Sequence, residues 1–479
     1  MLVSFDTDTP LNEQLFERLR QAVLHGELKP GQKLPSSRHQ ALNLGVSRNV
    51  VVTAYEQLVA EGYAEARVGA GTFVAATLPD PSLHDIAIPV PLELSEPQLS
   101  SYAQRALALR PGSPHAGLPS LPYDFRYGLS PVDERLQSRW RSTLSRCARS
   151  PELNYGDTQG YLPLREALAT YLAQSRGVRC SPEQIVVTNG SQQALDLVAR
   201  VLLERDDRVL LEDPCYQGAR HVFAAAGAKL VSAPVDEEGL IDEEGLTLPD
   251  AAKLAYVTPS HQFPTGAVMS VTRRLALLAW ARENEAFVLE DDYDSEYRYV
   301  GRPVPAVYGL GGSERVVYAG TFSKVLFPAL RLGFLVLPPP LVPAVLAAKW
   351  LTDRHSATLE QAALALFMRE GHFERHLRRT RVQNAARRQA LLNALDRYLG
   401  DRAEVTGTNA GIHALVWLNG MSTDGQDDLV GRARAAGVGI YPVTPYFSQP
   451  PERLGLLLGY AALNETKIAE GVRRLARVL

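Results

Sequence analysis

Between residues 121 and 479, apolar runs of strand length alternate with stretches of helical period. QIVVT precedes a helix from Ser191, and RVLLE precedes a helix through Phe223. KLVSAPV, KLAYVTP, a helix around Leu275 to Arg282, FVLEDD, RVVYAGT and LGFLVL follow. Such alternation folds into a mainly parallel sheet with helices on both faces, so this part is α/β. In sheets of that kind, ligands bind beyond the carboxyl ends of the strands. The polar residues that directly follow each run are therefore the candidates for chemistry.

The densest of these segments is YAGTFSKVLFPALRLGF, Tyr318 to Phe334, with Thr321, Ser323 and Lys324 close together and Arg331 soon after. A lysine amine with a lowered pKa condenses with an aldehyde to a Schiff base. Neighbouring hydroxyls and a guanidinium can hold a phosphate. Pyridoxal 5'-phosphate (PLP) carries both groups; the other reading is a surface lysine after a strand. After QIVVT, Asn189-Gly190-Ser191-Gln192-Gln193 opens a helix: a phosphate site, or an ordinary capped start. Tyr216, after RVLLE, can stack on a flat ring or serve as a core aromatic. After AYVT comes the polar loop Ser260-His261-Gln262-Phe263-Pro264-Thr265-Gly266, in which His261 and Gln262 are candidate cofactor contacts. After FVLE, Asp291 can pair with a ring nitrogen and keep it protonated, and Tyr293, on the same face of an extended chain, can reach a ring hydroxyl.

The first 78 residues have a different pattern. Apolar residues at Leu11, Leu15, Leu19 and Val23 give a helix to about Leu28. Ser36 or Ser37 caps a second helix through Leu42, and Ser47 caps a third through Ala60, with Val51, Ala54, Tyr55, Leu58 and Val59 inward. AEARVGAGTFVA then reads as a hairpin around Gly69-Ala70-Gly71. Helix, helix, turn, helix and β-wing is the order of a winged helix-turn-helix, whose third helix enters the major groove. Ser47, Arg48 and Asn49 open that helix, and Arg and Asn side chains can read guanine and adenine. Arg38 is placed for a phosphate, and the wing residues Gly69, Gly71 and Thr72 let the backbone approach DNA. A small helical dimerisation module is the competing reading. Charge does not separate the two, because residues 1–78 carry seven basic and eight acidic side chains.

Residues 79–120 are rich in proline and read as a semi-rigid linker, with a short helix at Tyr102 to Leu109. The whole chain of 479 residues has a net charge of −3, which supplies no general field toward nucleic acid or membrane. Its three cysteines fit neither a disulfide framework nor a zinc site, and the opening MLVSFDTDTP lacks signal-peptide character. A cytoplasmic location with no membrane span is the expectation.

LPSSRHQALNLGVSRNVVVTAYEQLVAEGY followed by RVGAGTFV resembles the GntR-type winged-helix domain, across nearly all of residues 1–78. The resemblance implies that Arg38, Ser47, Arg48, Asn49 and Gly69 to Thr72 contact promoter DNA. Val50 and Thr53 stand where similar proteins often have Thr and Arg. Residues 121–479 resemble fold-type I aminotransferases. That likeness implies PLP with Lys324 as its Schiff-base lysine, Asp291 on the pyridine nitrogen and Tyr293 on the ring hydroxyl. It also implies Tyr216 as the stacking residue and Ser191, Gln192, Ser323 and Arg331 on the phosphate. NYGDTQGYLPLREALATYL is similar to the segment from which Tyr155 would reach the partner subunit's cofactor, which implies a homodimer.

Head, linker and body together resemble MocR-type regulators, as do PSHQFPTG and EDDYDSEYRY. The resemblance implies a head-to-tail, domain-swapped dimer that senses PLP or a PLP–amine adduct. Two positions depart from a working transaminase: Phe263 replaces the usual asparagine, and Leu457 stands where an arginine usually forks onto the substrate carboxylate. Arg453 lies nearby, and Gly218 is near the place of a second effector-binding arginine. Loss of these clamps disfavours GABA and suits a PdxR-like member that senses PLP itself. An active aminotransferase with an accessory DNA-binding domain is the alternative.

Overall fold

The computed structural model describes residues 9–67, 69–78, 97–110, 121–149, 154–240, 252–301 and 304–479. They form two compact units, Met1–Gln98 and Leu99–Leu479. Most of the expected linker lies outside the described residues.

The head has helices α1 (Leu11–Leu24), α2 (Ser37–Leu44) and α3 (Arg48–Ala60), then the antiparallel strands β1 (Ala64–Arg67) and β2 (Gly71–Val74). Ser36 and Ser47 cap α2 and α3 by accepting from the backbone N–H groups of His39 and Val50. Gly45 ends α2 in the left-handed region at φ 67°. Val51, Ala54, Tyr55 and Leu58 of α3 are buried against Leu15, Phe16 and Val23 of α1, whereas Val59 is half-buried. The first helix stops at Leu24, before the expected Leu28, as Gly26 takes φ 74°.

The body begins at Leu99 rather than at 121. Helix Ser101–Ala108, expected within the linker, is capped by Ser100, and Arg105 Nε donates to Ala225 O at 3.0 Å. The central sheet has eight strands in the spatial order 185–188, 333–336, 316–321, 287–292, 252–257, 208–213, 229–236 and 239–240. Strands 316–321, 287–292, 252–257, 208–213 and 229–236 are parallel. Strand 333–336 runs antiparallel to both its neighbours. Its connection, residues 322–332, is too short for the crossover that a parallel return requires, so the chain doubles back. That short return carries Lys324 and Arg331. One apolar cluster covers each face of the sheet. A third core joins the antiparallel strands 403–406, 413–422 and 453–459 to helices His372–Tyr398 and Glu465–Val478.

Leu58 is 1% exposed in the head's own core. Leu58→Ala is expected to cost the head about 2–4 kcal/mol. Calorimetry should show a lowered head transition and an unchanged body transition; a common shift of both would contradict independent cores.

Candidate functional site

The carboxyl ends of strands 252–257, 287–292 and 316–321 open onto a cavity of about 190 Å3. Asp291 and Tyr293, two residues apart on one face, both line it, while Asp292 points to the opposite face and pairs with Arg176 at 2.6 Å. Asp291 Oδ2 accepts from the Tyr256 hydroxyl at 2.8 Å, whereas its Oδ1 is buried without a hydrogen-bond partner among the described residues. Burial pushes the Asp291 carboxyl up to about 6, against the lowering effect of the Tyr256 bond and nearby Lys324. A buried acceptor left open on a cavity wall is a site for a ligand's donor.

Lys324 reaches the same cavity and donates to Gly128 O at 3.0 Å. Burial lowers its amine below the usual lysine range, with Asp294 and Asp291 opposing the shift. That is the condition for a nucleophilic amine. Ser130 Oγ donates to the carbonyls of Ser323 and Lys324, at 3.0 and 2.7 Å, and so fixes the loop behind the amine.

An anion cradle lies at the other end. Helix Ser191–Leu202 starts after Gly190 at φ 79°, and Ser191 and Gln192 line the cavity at its positive end. Arg331 holds a left-handed conformation at φ 52° and donates to Asn189 O at 3.0 Å. A Cβ at Gly190 would come within 3.3 Å of the Arg331 guanidinium, so glycine there permits both the turn and the approach. Thr321 and Ser323 complete this end. Tyr216 lines the opposite wall, and its ring lies so close to Gly218 that any side chain at 218 would displace it.

Lys324, Asp291, Tyr293, Ser191, Gln192, Tyr216, Thr321, Ser323 and Arg331 are thus brought together. Three expected cofactor contacts, Gln262, His261 and Tyr155, are not among the lining residues. Gln262 is buried behind the wall, donating to Pro214 O at 2.7 Å and Phe263 O at 2.9 Å, so it braces the loop. His261 stands behind Tyr293, with Nδ1 2.9 Å from the tyrosine hydroxyl. Tyr155 is 78% exposed, against His355 and Arg354 and outside the cavity. Sequence reading missed Tyr127, Tyr256 and His413, which lie before helix Glu134–Cys147, near the end of strand 252–257 and at the start of strand 413–422, and carry no local motif.

The wall near Phe263 is aromatic and apolar. Leu457 is fully buried with Phe263, Leu415, Val443 and Tyr446, and Tyr127 touches Tyr446 hydroxyl to hydroxyl. Arg453 does not replace the missing clamp: it donates to Glu404 and Asn419 at 2.8 Å and lies over Trp417. Among the lining residues only Lys324 and Arg331 are cationic.

On the head, Arg38 in the first turn of α2 and Ser47, Arg48 and Asn49 at the start of α3 are all exposed, and Arg48 Nε donates to Ser37 Oγ at 3.4 Å. Gly69 and Gly71 take φ 73° and 112° at the wing, next to Thr72. Two further cations flank Phe73 there, Arg67 at 4.6 Å and Lys33 at 5.7 Å from its ring.

Residues 11–74 match the model of bacterial regulatory proteins of the gntR family, and residues 130–475 match aminotransferase class I and II. The probable rhizopine catabolism regulatory protein MocR of Rhizobium meliloti is 39% identical over 99% of this chain and 95% of its own length. The chain belongs to the MocR-type family. The pyridoxine biosynthesis regulator PdxR of Corynebacterium glutamicum is 33% identical over 95% of this chain and 93% of its own. Among solved structures, LysN, the alpha-aminoadipate aminotransferase of Thermus thermophilus, has a TM-score of 0.71 at 33% identity. It covers 80% of this chain and 97% of its own.

Burial makes the ionised form of Asp291 costly in the ligand-free chain. A carboxyl held near 6 in the fold, against 3.8 for a solvated aspartate, loses stability as pH rises from about 4 through 6. Asp291→Asn should therefore stabilise the ligand-free protein at pH 7 by up to about 3 kcal/mol, and the gain should vanish below about pH 4. Denaturant unfolding at several pH values reads this; a pH-independent or negative effect would contradict it.

Proposed function

We propose that the chain is a PLP-dependent transcriptional regulator: the winged helix binds promoter DNA, and the aminotransferase-like body senses PLP or a PLP–amine adduct. The observation that carries this reading is a cavity suited to PLP whose described lining residues offer, besides Lys324 and Arg331, no cation to clamp a carboxylate. The unpartnered Asp291 Oδ1 suits a protonated ring nitrogen, Lys324 an aldehyde, and Arg331 with the helix start at Ser191 a phosphate. Leu457 and Phe263 occupy the side where a substrate carboxylate would need a fork.

Bound PLP would supply an aldehyde that condenses with amines and a protonated ring that withdraws electrons. The chain's own residues do the rest. Asp291 holds a ring proton, Tyr216 covers the ring, and Tyr293 donates to the ring oxygen. Ser191, Gln192, Thr321, Ser323 and Arg331 anchor the phosphate. Arg48 and Asn49 read bases, Arg38 and Ser47 take phosphates, and the wing residues Gly69, Gly71 and Thr72 approach the backbone. The exposed Tyr155 serves a partner subunit's cofactor in a head-to-tail homodimer, and the protein works in the cytoplasm. PLP itself, rather than an amino acid, is the effector that the clampless pocket suits best.

The same lysine, carboxylate and tyrosine form the minimal set for transamination, so turnover separates regulator from enzyme. Arg48→Ala should weaken binding to the gene's own upstream DNA by about 1–3 kcal/mol, with PLP binding unchanged, in a fluorescence titration. Equal affinity in the variant would remove Arg48 from the interface. Steady turnover of an amino acid with a keto acid would instead favour an active aminotransferase with an accessory head.

A further inference from the structure

Behind Tyr293 lies a buried group of polar side chains that the cavity walls do not use. His261 is 1% exposed and Asp294 is fully buried. His261 Nδ1 is 3.1 Å from each Asp294 carboxylate oxygen and 2.9 Å from the Tyr293 hydroxyl. The imidazole is clamped in this position. The His413 ring lies against it at 4.8 Å, and a Cβ at Gly411 would overlap it. Gly411 is itself fixed at φ 79°, with its carbonyl accepting from the hydroxyls of Tyr299 and Tyr460 at 2.8 and 2.7 Å.

The proton positions follow from these partners. A buried carboxylate needs a donor, and His261 Nδ1 lies within reach of both its oxygens. The Nδ1 proton therefore faces Asp294 and the Tyr293 oxygen together. With that oxygen accepting, the tyrosine's own proton is directed away from His261, toward the cavity that Tyr293 lines. Without His261 the tyrosine could rotate its proton either way.

We propose that His261, anchored by Asp294, is a positioning residue that commits Tyr293 to donate into the cofactor cavity and thereby sets the proton affinity of the Lys324–PLP linkage. The inference rests on the PLP reading given above. A donor to the ring oxygen of PLP competes with the linkage's own N–H for that oxygen. It thereby favours loss of the linkage proton. Removing the donor should make the linkage harder to deprotonate. Other charged and titratable groups around it are Asp291 and Asp292 on the tyrosine's own strand, Tyr256 on the neighbouring strand, Glu212 on the strand beyond that, His413 packed against His261, and Arg331 at the phosphate end. Among the described residues, none of these groups hydrogen-bonds the Tyr293 hydroxyl as His261 does.

The test is a spectrophotometric pH titration of the full-length, PLP-loaded protein, following the visible band of the linkage. His261→Leu should raise its midpoint by about one pH unit, a tenfold change in proton affinity, toward the value of Tyr293→Phe. His261→Asn, which retains an N–H near the Nδ1 position, should stay close to wild type. His261→Leu should add nothing in the Tyr293→Phe background. An unchanged midpoint in His261→Leu, or additive shifts with Tyr293→Phe, would overturn the inference while leaving PLP binding in place. A wild-type protein that forms no such band with PLP would overturn the PLP reading and this inference with it.

Discussion

The cofactor cavity is organised by the cost of burying charge at the carboxyl edge of the sheet. Asp291 and Lys324 stand at the ends of adjacent strands, one pushed toward its protonated form and the other toward its neutral form by the same loss of water. Neither is matched to the other as a surface ion pair would be. Asp291 keeps one oxygen unpartnered among the described residues, and the Lys324 amine donates to the Gly128 carbonyl. Such an arrangement destabilises the ligand-free protein and is relieved by a ligand that brings a ring proton and a carbonyl carbon. The left-handed Arg331 at the phosphate end adds backbone strain of the kind that accumulates at binding sites.

Much of this was legible in the sequence because it is local. Lys324 and Arg331 share one short loop, Asp291 and Tyr293 share one strand face, and Gly190-Ser191-Gln192 is a helix start. In each case the backbone period alone determines which side chains point together. The misses have a common cause. Tyr256 and His413 enter the cavity from strands whose positions in the site depend on sheet order and on a separate antiparallel layer. His261 and Gln262 were placed at the right loop but one layer too far forward. The turn at Pro264 to Gly266 directs Phe263 to the wall and leaves Gln262 bonded to its own loop. The antiparallel return of strand 333–336 was not visible in a pattern of alternating units, although the shortness of residues 322–332 explains it.

The head and the body each have a complete core, so they need no shared interior to fold. Any influence of one on the other is then a matter of linkage between arrangements. A ligand in the body alters DNA affinity only by as much as its own affinity differs between those arrangements, commonly about 1–3 kcal/mol. The buried, apolar Leu457 beside Phe263 is consistent with that role, since a sensor must bind and release, whereas a transaminase must orient two successive carboxylate-bearing substrates.

The central claim is that occupancy of the Lys324 cavity controls the winged helix. Its most direct test is binding of the purified protein to its own upstream DNA during PLP titration, in wild type and in Lys324→Ala. The account predicts that PLP changes wild-type operator affinity by roughly 5- to 150-fold and that the variant does not respond. Tight wild-type binding that is indifferent to PLP, or an equal response in Lys324→Ala, would contradict it.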